Sequence, residues 1–325
     1  MRIGLTYDTK SDYGLNEDNL EYTDFVSLET VSEIRRAIEQ CGYDVEYIGN
    51  VYKLKDILAK DVFAFDLVFN IAEGFGSRNR EALIPSLLEI YKIPHTASDV
   101  YGMALNLNKH HTKILVQSQG IPVPDGIYFK KIDNHVLRQV SRLGYPFVLK
   151  PNSEGGSMGL YLISTEQEFI MRASYLIETF GFDLIAEEYI PGTEITVPVI
   201  GNDDSTEALG VVSILNEDGS DIELYDNNLK YLDNVINTLE FKFSDTIKNK
   251  LCKYSVHIHQ FFNLRDYSRM DFRITPDGRI YFLEINTMPS LCRNCSFEQC
   301  GKQMGLEYYE VIGKIIEAAR KRYEI

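Results

Sequence analysis

Apolar residues along the first hundred positions alternate between two periods. Short apolar runs from Ile3 to Thr6, Val45 to Ile48 and Asp66 to Asn70 have the length of buried strands. Between the first two, Leu28, Val31, Ile34 and Ile38 recur every three to four residues, the stripe of an amphipathic helix that Gly42 ends. A second helix is expected from about Glu81 to Tyr91. Strand and helix in alternation predict a mostly parallel sheet covered by helices.

The pattern changes near Ser98. A helix from about Lys109 to Gln119 leads through the turn 120–124 to a buried strand at Tyr145 to Lys150. That strand delivers Lys150 to a glycine-rich loop, Glu154 to Gly159, and Leu160 to Ile163 continues as a strand. Ile185 to Ile190 and Glu194 to Ile200 read as further strands, and an amphipathic helix from Glu307 to Arg322 closes the chain. The expected class is α/β, turning to α+β in the C-terminal part, with three packed units at 1–100, 101–182 and 183–325. No internal repeat or low-complexity linker interrupts them.

At 325 residues, with 44% hydrophobic and 25% charged positions, the chain has an ordinary globular composition. The formal net charge of -15 argues against broad contact with nucleic acid or an anionic membrane, both of which need basic surface. The N-terminus lacks the basic and long apolar regions of a signal peptide, and no run approaches a membrane span, so a cytoplasmic protein is expected. Five cysteines, an odd number, fit a reducing compartment. Among Cys292, Cys295 and Cys300, only the first two have metal-ligand spacing; a partly buried loop of free thiols is expected over a zinc site.

The densest chemistry lies at 268–289. Residues 274–279 read as a hairpin connection, so Asp271, Glu284 and Asn286 fall near the ends of two adjacent antiparallel strands. Oxygen ligands without histidine or thiolate suit magnesium, held by carboxylates together with substrate phosphates. A solvated hairpin is the bland alternative. Lys109 and Lys150 sit where element ends point them at a phosphate, and the loop through Gly155, Gly156 and Gly159 offers unobstructed backbone N–H groups. This loop joins strand to strand, so neither a P-loop nor a dinucleotide fingerprint matches.

Taken in order, residues 106–109, 148–159 and 187–197 resemble the ATP-grasp enzymes. Residues 225–231 with 269–271 and 284–289 narrow the resemblance to the D-alanine–D-alanine ligase branch, across nearly the whole chain. It implies an ATP-grasp fold behind a Rossmann-like N-terminal domain. It also implies ATP as cofactor with two magnesium ions, manganese being able to substitute, small amino-acid substrates and a homodimer. Lys109, Lys150 and Lys230 would contact phosphates under a lid formed by Glu154, Gly155, Gly156, Ser157 and Gly159. Glu187, Glu188, Tyr189 and Ile190 would form the adenine hinge, and Glu194 would bind ribose. Asp271, Glu284 and Asn286 would hold the metal. Arg269 would stabilise the tetrahedral oxyanion and Lys230 the transferred phosphoryl group, Ser157 of the lid would count with them as catalytic, and Tyr231 would orient the loop closing over the first substrate.

Every departure from the resemblance lies on the substrate side. Phe25 precedes Val26-Ser27-Leu28 where the family has a glutamate for the first ammonium; Glu21 or Asp24 could substitute from a rearranged loop. Glu73 stands in place of a histidine, and Arg78 and Arg80 replace acidic residues, as clamps for a second carboxylate or as a solvated loop. Gly156 takes the place of the lid's first serine, and Ser290 opens an unfamiliar stretch beyond Pro289. An amide-forming ligase is therefore expected, with D-alanyl-D-alanine, a cell-wall precursor, as the default product. A ligase of another amino-acid or small-molecule pair and a non-catalytic ATP-binding regulator are the alternatives.

Overall fold

Strand β1 (Arg2–Tyr7) pairs in parallel with both β2 (Asp44–Gly49) and β3 (Leu67–Ile71), so the first sheet has the order β2-β1-β3. The computed structural model describes residues 1–16, 25–60, 63–224 and 235–325. All of β3 is buried, as a strand covered on both faces must be. The helix Leu28–Gln40 opens on Ser27, whose hydroxyl accepts from the Thr30 N–H. It buries Val31, Ile34 and Ile38, but Leu28, expected in the same stripe, lies exposed in the first turn. The helix expected from Glu81 instead begins as a 3₁₀ turn, Arg80–Ala82, and becomes α-helical at Leu83–Ile90. Pro85 explains the change, because it has no N–H to donate to the Glu81 carbonyl.

The second sheet contains β4 (Gly126–Phe129), β5 (Phe147–Pro151), β6 (Tyr161–Ile163) and β7 (Leu184–Glu188) in the order β4-β7-β5-β6. Phe129, Phe147, Phe169 and Leu176 form its core with the helices Asn134–Leu143 and Glu166–Phe180. Strand β7 pairs with β4 and β5, whereas a division at 182/183 assigns it to the third unit. Apolar periodicity identifies a strand without saying which sheet it joins.

The third sheet is antiparallel, with β8 (Thr193–Ile200), β9 (Glu207–Ala208), β10 (Val212–Asn216), β11 (Val235–Thr238), β12 (Tyr267–Ile274) and β13 (Ile280–Asn286). Its order is β11-β10-β8-β12-β13, with β9 beside β8. Gly192 turns the chain from β7 into β8 at φ 141°, and a Cβ there would lie 2.0 Å from the Ile274 carbonyl oxygen. The final helix, Tyr308–Tyr323, returns to the first sheet, burying Ile312, Ile315 and Ile316 in one core with Ile3, Leu5 and Phe69. The sequence expectation of free thiols at 292–300 is corrected in part: Cys292 and Cys295 are disulfide-bonded across a turn with Cα atoms 5.6 Å apart, while Cys300 is a free, buried thiol. Among the described residues no group of three or more His, Cys, Asp or Glu side chains is placed to hold a metal, and no helix is long and apolar enough to cross a membrane.

Candidate active site

Strands β12 and β13 place Asp271 directly opposite Glu284 and Arg269 opposite Asn286. Directly opposed residues in an antiparallel pair share a face, as do residues two apart on one strand, so all four point to the same side. The register shifts between Asp271 and Phe272, leaving Leu283 as the extra residue on β13. Both Leu283 and Glu284 consequently line one cavity of about 120 Å³. Asp271 accepts from Thr196 Oγ1 at 2.7 Å, from Asn286 Nδ2 at 2.8 Å and from Arg269 through Nε and Nη2 at 2.9 and 2.8 Å.

Those bonds test the fit of a metal. The Asp271 carboxylate already takes a bidentate cation, Arg269, and the neighbouring Glu284 and Asn286 add hard oxygen donors. By donor chemistry the set suits magnesium, which Asp271, Glu284 and Asn286 would hold once Arg269 yields the Asp271 oxygens it occupies here. Lys109, at the start of the helix Lys109–Ser118, brings Nζ to 3.6 Å from Glu284 Oε2 and donates to the Glu154 carbonyl oxygen at 2.6 Å.

At the end of the cavity nearest β7, two lysines share one buried carboxylate. Lys150 Nζ lies 3.2 Å from Glu187 Oε2, and Lys113 bonds the other oxygen. Burial pushes Lys113 down to about 8 despite the attraction of Glu187. Burial acts in the same direction on Lys150, yet Glu187 and Glu284 together hold it above the ordinary lysine value. Glu187 would itself be raised by burial, but the two lysines hold it below the ordinary value. Lys113 was not singled out from sequence; its signal was position four residues after Lys109, one helical turn along the same face.

The wall beyond Glu187 is built on Arg273, which is 4% exposed. Its guanidinium donates to the Ile190 and Ile222 carbonyls at 3.0 and 2.8 Å and to Glu194 Oε2 at 3.3 Å, and it lies over the Tyr189 ring. Arg273 therefore fixes both the hinge and Glu194. Apolar walls come from Val148, Leu160, Ile214 and Leu283, also unassigned from sequence, and together with the hinge they suit a flat base.

The glycine-rich loop separates this cavity from a larger one of about 460 Å³ between the segment that follows β3 and the second sheet. Glu154, Gly155 and Met158 line both. Gly156 and Ser157 follow one another with φ of 59° and 62°, and Gly159 also has positive φ, with Leu176 and Pro151 closing the space a Cβ would need. Glu73, Arg78 and Arg80 line the larger cavity with Phe25 and Phe75. Arg78 is exposed, whereas Arg80 is buried and turned toward the loop. Phe25 and Phe75 each stack near Tyr13, at 5.5 and 5.0 Å between centroids. Of the remaining predicted residues, Glu188 lines the nucleotide-side cavity and Ser290 is exposed, lining neither. Lys230 and Tyr231, like Glu21 and Asp24, lie outside the described residues.

Two cavities meeting at a phosphate-type loop, the smaller one lined by Lys109, Lys150, Asp271 and Glu284, have the arrangement of an ATP-grasp ligase. The D-ala D-ala ligase C-terminus family matches residues 115–317. The D-alanine--D-alanine ligase of Aquifex aeolicus (strain VF5) is 30% identical over 291 residues, covering 90% of this chain and 94% of that protein. An uncharacterized protein, y4sG of Sinorhizobium fredii (strain NBRC 101917 / NGR234), is 28% identical, covering 88% of this chain and 86% of its own. Among solved structures, the D-alanine--D-alanine ligase of Bacillus anthracis complexed with ATP superposes with a TM-score of 0.79 at 23% identity, covering 100% and 98% of the two chains. The VanG D-Ala:D-Ser ligase of Enterococcus faecalis gives 0.77 at 21% identity, covering 98% and 99%. The chain belongs to the D-alanine–D-alanine ligase family of ATP-grasp enzymes, ATP-dependent ligases that form C–N bonds.

Proposed function

We propose that the protein joins the carboxylate of one amino acid to the amine of another, at the expense of ATP, through an acyl phosphate. A carboxylate oxygen attacks the γ-phosphorus while the bond to the ADP oxygen breaks. The second amine then attacks the acyl carbon, loses a proton and expels phosphate. The observation that carries this reading is the common cavity lined by Lys109, Lys150, Arg269, Asp271 and Glu284, because a site that only bound nucleotide would have no use for Arg269 beside the metal-type carboxylates.

Lys109 and Lys150 bind and orient the phosphates, Glu188 to Ile190 and Glu194 seat the nucleoside, and the loop with Ser157 excludes water that would hydrolyse an acyl phosphate. Arg269 would stabilise the tetrahedral oxyanion. Magnesium, when bound by Asp271, Glu284 and Asn286, supplies charge neutralisation at the phosphates. Lys230 and Tyr231 keep the roles implied by the resemblance.

Two D-alanines are the default substrates. A second reading, a ligase of a different amino-acid pair, is favoured by one observation: Phe25, Phe75 and Glu73 together line the larger cavity. ADP release with magnesium-ATP, screened against single and paired D- and L-amino acids with mass spectrometry of the products, decides between them. Turnover with D-alanine alone supports the first reading, and turnover only with another pair supports the second. ATP binding without turnover on any pair defeats both and leaves a regulatory ATP-binding module.

A further inference from the structure

We propose that Arg80 is a positioning residue that locks the glycine-rich loop to the first-substrate cavity and so couples the two halves of the reaction. Its side chain is buried, crosses from the turn after β3, and donates Nη1 to the Ser153 carbonyl oxygen at 2.8 Å while lying 3.2 Å from Glu154 Oε2. Ser153 and Glu154 open the loop whose residues Gly155 and Met158 partition the two cavities. The Glu154 carbonyl oxygen accepts from Lys109, and Lys109 approaches Glu284. One contiguous path therefore runs from the substrate-side turn, through Arg80 and the loop base, to a metal-type carboxylate.

The need for such a lock is local. Gly156 and Ser157, two successive left-handed residues outside any strand, follow directly on the base that Arg80 holds. Gly74 makes room for the lock, since a Cβ there would meet the Arg80 carbonyl oxygen at 2.5 Å. Arg80 makes a buried, charge-assisted connection from the substrate-side turn to the base of the loop. Only the catalytic consequence rests on the ligase reading; the lock itself stands on the contacts.

The test compares Arg80→Gln, Arg80→Lys, Glu154→Gln and the Arg80→Gln/Glu154→Gln double variant in the full chain. Loss of one buried charged donor predicts a fall of about 10- to 100-fold in kcat/KM for the first amino acid. Arg80→Gln should raise KM for ATP and release ADP in excess of amide, and Arg80→Lys should restore part of the coupling. The double variant should be no worse than the poorer single one. Amide hydrogen exchange across 155–159 in nucleotide-free protein should accelerate about tenfold or more in Arg80→Gln. Additive effects, or a lowered Tm with unchanged coupling and unchanged loop exchange, would overturn the proposal. If the wild type turns over no amino-acid pair, the ligase reading fails, and the exchange measurement alone still decides whether Arg80 holds the loop.

Discussion

Asp271 and Glu284 stand opposite one another across β12 and β13, immediately beside the register shift that turns Leu283 into the same cavity. A bulge at this point lets a metal-type carboxylate and an apolar wall for the nucleotide come from adjacent residues of one strand. Glu284→Gln keeps the shape and removes the charge. It should lower kcat by about a hundredfold or more, with partial recovery at raised magnesium and an unchanged Tm, in steady-state assays across a magnesium titration.

Arg273 carries the hinge carbonyl of Ile190 and the carboxylate of Glu194. Arg273→Met leaves that carboxylate and two carbonyls without their buried donor. A loss of about 3–5 kcal/mol is expected in chemical denaturation, with a raised KM for ATP in whatever fraction remains folded.

Gly192 tolerates no side chain, because its φ of 141° and the nearby Ile274 carbonyl leave neither conformation nor space. Gly192→Ala should destabilise the protein by about 2–4 kcal/mol, measured by urea unfolding.

The shared hairpin of Asp271, Glu284 and Asn286 and the position of Lys109 and Lys150 beside the glycine-rich loop were legible because each is a local signal: a residue type at an element end, or glycines between apolar strands. Arg273 and Lys113 were not singled out, since their partners lie 51 to 83 residues away; the helical spacing from Lys109 gives the face of Lys113 but not its bond to Glu187. Arg80 was noticed as a substrate-side arginine, but burial against Ser153 is a tertiary fact. The assignment of β7 to the second sheet escaped for the same reason.

His259 is buried beneath β12, bonded through Nδ1 to Ser268 Oγ at 2.6 Å and through Nε2 to the Gly201 carbonyl oxygen at 3.1 Å. Burial pushes it down from 6.5 to about 4. The unfolded chain therefore binds the extra proton between those values, so this contribution to stability is full above pH 6.5 and is lost as the pH falls toward 4. Denaturation curves of the wild type and His259→Gln should differ in slope by about 1.4 kcal/mol per pH unit in the middle of that window, the variant being the flatter. Parallel slopes would refute the assignment.

The most direct test of the ligase account follows the substrate's carboxylate oxygen. With the first amino acid labelled with oxygen-18 in its carboxylate, an acyl phosphate must hand one labelled oxygen to each inorganic phosphate formed with the amide. Mass spectrometry should find one label per phosphate, in step with ADP and product. Unlabelled phosphate accompanying a genuine amide product would contradict carboxylate phosphorylation and with it the central claim.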